Sequence, residues 1–203
     1  MAYFEDNASN SVEINGISFE TLVSKQVLTV PKKKCIGKLR YILQLLSLSG
    51  GEIFPIDSVQ MGIRITNNTD KTLRFQLASD LLYPEIVGED DEILVEGGWF
   101  SYTQSEEYTY PSLIPKANVT FFIEAQTFWI WGNRLGILIP TSFYGGWILK
   151  PLKLGVYQFR FTYYKSQTEV KIDELSSQDT QQLEEIWTGE AKTPFIELRI
   201  VQN

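Results

Sequence analysis

From Tyr157 to Tyr163 the chain alternates without a break. Tyr157, Phe159, Phe161 and Tyr163 fall on one side, and Gln158, Arg160 and Thr162 on the other. A period of two belongs to a β-strand with one buried face, because successive side chains of an extended chain point to opposite faces. Any fold for this chain must give the strand neighbours in a sheet and an apolar layer for its rings.

The same pattern recurs along the chain. Ile17, Phe19, Thr21 and Val23 alternate, and Val27-Leu28-Thr29-Val30 follows before Pro31, so both read as early strands near a sheet edge. Val59, Met61, Ile63 and Ile65 alternate with Gln60, Gly62, Arg64 and Thr66, and Leu73, Phe75 and Leu77 alternate with Arg74 and Gln76. Asn67-Asn68-Thr69-Asp70 between them is turn chemistry, since Asn and Asp side chains bond the backbone two residues on. Val119, Phe121 and Ile123 form a further strand. Phe128-Trp129-Ile130-Trp131, a Gly132-Asn133 turn and the apolar run 135–139 follow, the last reading as a buried strand. The closing strand is 195–201, with Ile196, Leu198 and Ile200 on one face. Many short strands separated by turn signals, with no long helix, predict an all-β antiparallel sandwich.

Residues 1–16 are polar and Asn/Ser-rich and read as a flexible N-terminal arm, leaving 17–203 as a single domain. Two stretches exceed what a minimal sandwich needs. Residues 80–115 form a long irregular region holding Tyr83-Pro84-Glu85, the acidic run Glu89-Asp90-Asp91-Glu92 and Gly97-Gly98-Trp99. Loops of this length carry function or fold back as extra strands. Residues 170–186 are polar, with Leu175, Leu183 and Ile186 spaced for one short helical insertion capped by Ser177. Gly97-Gly98 and Gly145-Gly146 read as turn or bulge glycines, since neither pair opens a phosphate-binding loop.

Composition removes several chemistries. The chain has no histidine, so Ser-His and Cys-His nucleophilic systems and His metal sites are excluded. A formal charge of −7 repels phosphate backbones, so no nucleic acid is expected as partner. The one cysteine, Cys35, cannot close an internal disulfide, and without a His partner it reads as an ordinary thiol. No signal peptide and no transmembrane segment can be read, so a cytoplasmic protein is expected. Lys32-Lys33-Lys34, with Lys38 and Arg40, is the one basic cluster: a solvated loop, or a docking patch for an acidic partner or anionic membrane.

The turn and strand Leu152-Lys153-Leu154-Gly155-Val156-Tyr157 resembles the tyrosine corner of immunoglobulin-like and fibronectin-like domains. Trp187-Thr188-Gly189-Glu190 with Thr193-Pro194-Phe195-Ile196-Glu197-Leu198 resembles their closing strand. The resemblance covers the last third of the chain and implies an immunoglobulin-like β-sandwich in which the Tyr157 hydroxyl bonds back across the turn. It departs from antibody-type domains, because position 159 is Phe and no Cys pair exists. A similar pattern occurs in bacterial sandwich proteins, including intracellular proteinase-inhibitor-like domains; no inhibitory loop maps onto these residues.

For function, the aromatic tracts are the candidate binding residues: Trp99, Tyr102, Tyr108 and Tyr110 in loop, and Trp129 and Trp131 sharing one strand face. Planar rings bury large area at low entropy cost, which suits a partner protein or a sugar, and core filling is the competing reading. The 89–92 run offers oxygen ligands without the spacing of a calcium loop, so it reads as a solvated acidic turn and no metal or cofactor is expected. Glu124, Glu106 and Glu107 sit near aromatics as carboxylates for glycoside hydrolysis, but Glu106 and Glu107 are adjacent, would face opposite sides of a strand and could not act as one pair. The expected role is a non-catalytic protein-interaction module, contacting its partner through 80–115 and 165–190. Carbohydrate binding through the loop aromatics is the alternative, and a carboxylate-based glycosidase comes third. A second copy of the chain, pairing through edge strands, is a further candidate partner.

Overall fold

A computed structural model describes residues 10–30, 55–88, 92–98, 108–130, 134–141, 145–166 and 186–202. Within them the fold is all-β, in three sheets that are mostly antiparallel. The first sheet runs β1 (Ser11–Ile14), β2 (Ile17–Val23), β4 (Pro55–Asn67), β9 (Asn118–Ile130), β10 (Arg134–Thr141), β11 (Gly145–Leu152) and β7 (Val95–Gly98) in spatial order. The second is built on β12 (Gly155–Lys165). One edge of β12 carries β6 (Leu82–Val87), and the other carries β14 (Ile196–Gln202) and then β13 (Gly189–Lys192). Beyond β14 lies β3 (Val27–Val30), which joins it in parallel. A two-stranded sheet pairs β5 (Leu73–Arg74) with β8 (Ser112–Leu113).

The alternation read from the sequence sets which side chains enter the core. Phe19 of β2, Met61, Ile63 and Ile65 of β4, Ile123 of β9 and Ile137 and Ile139 of β10 join Phe159, Phe161 and Tyr163 of β12, Leu198 and Ile200 of β14 and Ile86 of β6 in one apolar cluster. Each fully buried ring or branched side chain contributes roughly 1.5–3 kcal/mol. The run 135–139 is buried on both faces, as its unbroken apolarity predicts. Leu138 lies away from the main cluster with Phe128 and Ile148. Gly136, directly opposite Phe128, leaves room for that ring, whose edge atoms would meet a Cβ there at 2.7 Å.

Tyr157 makes the bond expected of it. Its hydroxyl donates to the Lys153 carbonyl at 3.0 Å and accepts from the Lys153 N–H at 2.8 Å, closing the turn into β12. Tyr157→Phe keeps the ring in the core and removes both bonds. The expected loss is about 1–1.5 kcal/mol in urea unfolding, and an unchanged midpoint would show the corner to be idle.

A second lock joins the two sheets. Between β13 and β14 the chain leaves the ladder at Thr193-Pro194-Phe195, so the Phe161 N–H loses its strand partner, while the Phe161 carbonyl still accepts the Thr193 N–H at 3.1 Å. Thr21, reaching over from β2, accepts the Phe161 N–H at 3.0 Å, and the Thr193 hydroxyl donates to the Phe161 carbonyl at 2.9 Å. The two threonine hydroxyls meet at 2.5 Å.

Several elements differ from the sequence expectation. Residues 11–14, assigned to the arm, form β1. Asn15 and Gly16 have φ of 52° and 76°, which suits the tight hairpin that brings β1 back on β2. The expected strand at 73–77 pairs formally only at Leu73 and Arg74; Phe75 and Leu77 continue it through isolated bonds to Pro111 and Thr109. The 80–115 region folds back as β6, β7 and β8. Gly97 and Gly98 lie in strand pairing with Trp147 and Gly146, not in turns, because β7 and β11 form the free end of the first sheet. Among the described residues the only helical turn is a single 3-10 turn at Ser79–Leu81. The helix expected over 170–186 and the basic cluster 32–40 lie outside the described residues, apart from Ile186, which bridges to Arg74. No helix among the described residues is long and apolar enough to cross a membrane.

Candidate functional site

Two of the sequence-predicted binding residues come together with side chains that can be placed. Thr109 bridges Leu77 in an antiparallel pair, so Tyr108 and Tyr110 project to one side of an extended segment. Their ring centroids are 6.5 Å apart at an interplanar angle of 52°, and Tyr110 is exposed. The Tyr108 hydroxyl donates to Asp80 Oδ2 at 3.1 Å. Asp80 sits in the 3-10 turn, where Leu81 N–H bonds back to Ala78 and fixes the turn before β6 begins. Trp129 lies in β9 opposite Leu135, and its side chain lies outside the description. Trp99, Tyr102 and Trp131 also lie outside the described residues.

The electrostatics of this corner are set by Asp80. Burial, and then the Asp80 charge and hydrogen bond, push the Tyr108 phenol from 10.0 up to about 12. Burial lowers the Lys165 ammonium from its ordinary value, and the Asp80 carboxylate opposes that shift. Asp80 Oδ1 is buried without a hydrogen-bond partner. Tyr108 therefore stays protonated at neutral pH as a fixed donor, and the pair pins the 108–110 segment to the turn. Folding holds this proton more tightly than the unfolded chain does. Its contribution to stability is thus full below pH 10 and is lost as pH rises toward about 12. In a spectrophotometric tyrosine titration, Tyr108→Phe should remove a component near 12, and Asp80→Asn should move that component down. A Tyr108 component that Asp80→Asn leaves where it stands in the wild type would show the pair to be broken in solution.

Sequence reasoning missed a second aromatic group. Tyr83 of β6 and Tyr164 of β12 are exposed on the face of the second sheet away from the core, with centroids 6.3 Å apart at 70°. Trp147 of β11 packs against Tyr83 at 5.6 Å, and its buried Nε1 has no hydrogen-bond partner. The signal was present in period two: Tyr164 follows the buried Tyr163 and must face outward. Tyr83 alternates with Leu82, Pro84 and Ile86, but Pro84 reads as a breaker. It is tolerated because β6 is an edge strand.

At the β6 exit Gly88 N–H donates to the Glu92 carbonyl; Glu89, Asp90 and Asp91 of the acidic run lie outside the described residues. Among the described residues no group of three or more Asp, Glu or Cys is placed to hold a metal ion. Glu124 is exposed on β9, facing Gln60 across the ladder; Glu106 and Glu107 lie outside the description. No protein-family model, curated protein or solved structure matches the chain.

Proposed function

We propose that the chain is a non-catalytic protein-interaction module on an immunoglobulin-like β-sandwich. The chain supports the topology by leaving one sheet at β2 and entering the other at once as β3, parallel to β14. The Tyr157 corner supports it further.

The observation that carries the functional reading is convergence. Described parts of the two long segments, 80–81 with 108–110 and 165 with 186–189, meet at one end of the fold. Tyr108 is bonded to Asp80, Lys165 pairs with Gly189, and Trp187 N–H donates to the Arg74 carbonyl at 2.8 Å. Neighbouring loops on a rigid double sheet form one recognition surface without ordering a long flexible chain on binding. The test is affinity capture from the source organism's extract, followed by titration of the captured protein against Tyr110→Ala and Ile114→Asp, both exposed positions. The expected result is a tenfold or greater loss of affinity with the thermal melt unchanged. Full affinity in both variants would place the partner elsewhere.

The second reading, carbohydrate binding, is favoured by the exposed Tyr110 ring held at an angle to Tyr108. It predicts a shift in aromatic fluorescence with a glycan panel, reduced in Tyr110→Ala. A flat response across the panel removes it.

A further inference from the structure

The outer face of the second sheet differs electrically from the rest of the chain. Its side chains follow from the register: Tyr83, Glu85 and Val87 on β6; Val156, Gln158, Arg160, Thr162 and Tyr164 on β12; Glu190 and Lys192 on β13; Glu197, Arg199 and Val201 on β14; Val27 and Thr29 on β3. The charged members form three ion pairs within the face: Arg160 with Glu85 at 2.8 Å, Lys192 with Glu190 at 3.3 Å, and Arg199 with Glu197. The face is therefore formally neutral on a chain of charge −7. It is also where exposed apolar side chains gather. Tyr83, Tyr164, Val27, Val156 and Val201 are 38–48% exposed, five of the nine large apolar residues so exposed among the described residues. Leu154, a sixth, lies in the turn beside Val156.

We propose that this face is the interface of a homodimer, with a second copy of the chain packed face to face on it. Two acidic chains repel each other over most of their surface, and contact through a neutral face avoids that opposition. The five strands of this face, β6, β12, β13, β14 and β3, hold 32 residues; at about 3.3 Å by about 4.8 Å each they give a footprint of roughly 500 Å², a small interface beside the about 800 Å² per partner of standard ones.

The face is also self-complementary about its centre. Arg160 is the middle residue of β12, with its guanidinium 4.1 Å over the Phe195 ring and its Nε and Nη2 donating to Glu85. A two-fold axis lying between the copies and crossing β12 at Arg160 sets the strands antiparallel. Tyr164, four residues beyond Arg160, then meets Val156 of the other copy, four residues before it. Tyr83, opposite Thr162, meets Val87 of the other copy, which is opposite Gln158. Each exposed tyrosine lands on a valine, Glu197 lands on Lys192 and Arg199 on Glu190 of the other copy, and at the axis the two Arg160–Glu85 pairs meet, each already neutralised within its own chain. The loop ends of the two copies point in opposite directions, so the dimer is bivalent. The dimer does not depend on the loop-end reading, and its variants test a different surface.

The test uses the full chain in sedimentation equilibrium and light scattering. The expected species is twice 23.3 kDa, persisting at raised salt because the face carries no net charge and its ion pairs are already made within each chain. Val156→Lys and Tyr164→Glu should each weaken association at least tenfold while leaving the circular dichroism melt intact. In a Cys35→Ser background, mixing Val156→Cys with Tyr164→Cys should give a disulfide-linked heteropair in preference to either homopair. A wild-type monomer throughout the micromolar range overturns the proposal. So does a dimer indifferent to both variants, a preference for the homopairs, or another protein seated on this face of a monomeric chain.

Discussion

Replacing Asn67 with alanine is expected to lower the unfolding free energy by about 2–4 kcal/mol, because the side chain satisfies buried backbone that nothing else can reach. Asn67 is the last residue of β4 and is fully buried. Its Nδ2 donates to the Lys71 carbonyl at 2.7 Å and to the Leu113 carbonyl at 2.8 Å. Its Oδ1 accepts from the Thr69 N–H at 3.0 Å and the Thr69 hydroxyl at 2.6 Å. One amide thus closes the turn after β4 and ties it to β8, while the Asn67 backbone bonds Ala117 and Lys116. Lys71 and Thr69 sit near water and recover part of their loss. Leu113 is buried and its carbonyl does not.

Asn67→Asp separates the hydrogen bonds from the shape. The carboxylate keeps the acceptor toward Thr69 but turns its second oxygen on two carbonyls, so the folded state favours the protonated form. Its pKa rises on folding. The loss is therefore smallest below about pH 4 and grows as pH rises through the folded value. Against a usual stability of about 5–15 kcal/mol, either change shows clearly in urea unfolding. Wild-type midpoints for Asn67→Ala, or a pH-independent loss for Asn67→Asp, would refute the account.

The turn at 67–70 was legible in the sequence, because Asn-Asn-Thr-Asp between two alternating strands has no other role. That Asn67 also holds Leu113, forty-six residues away, was not. The same division holds elsewhere. Which side of β12 faces the core follows from period two, and the back-bond of Tyr157 across the turn is what the resemblance of its Gly155-Val156-Tyr157 entry to a tyrosine corner implies. The Arg160–Glu85 pair joins residues 75 apart, and only strand order could reveal it. β1 was overlooked although Asn15-Gly16 is a strong hairpin signal, because the surrounding Asn and Ser gave the tract the composition of a loose arm. Of the candidate site, Tyr108 and Tyr110 could be named, but their anchor Asp80 lies in a turn with no sequence signature. The exposed Tyr83 and Tyr164 were hidden because tyrosine serves cores and surfaces equally well.

Gly62 makes the point where local and tertiary rules give opposite signs. It lies inside β4, between Met61 and Ile63, and pairs with Phe122 of β9. By propensity alone, Gly62→Ala should stabilise the protein by about 0.4–1 kcal/mol, since the unfolded chain loses freedom. Packing predicts the reverse. A Cβ at position 62 would overlap the Phe121 carbonyl oxygen and lie 2.9 Å from the Phe121 carbonyl carbon and the Phe122 Cα. These are backbone atoms at the centre of the first sheet, with β2 on the far side of β4 and β10 on the far side of β9. No rotamer change relieves the overlap, so the strands must part and their ladder bonds lengthen. The expected destabilisation is about 3 kcal/mol or more, at the upper end of overpacking effects. Gly88→Ala is the matched control, because a Cβ there meets Leu94 at 3.6 Å and the Tyr157 ring at 3.7 Å, ordinary contacts. Its midpoint should stay at or slightly above wild type. If Gly62→Ala is as stable as Gly88→Ala, β4 and β9 do not approach as closely as described, and the register joining Gly62 to Phe122 is wrong.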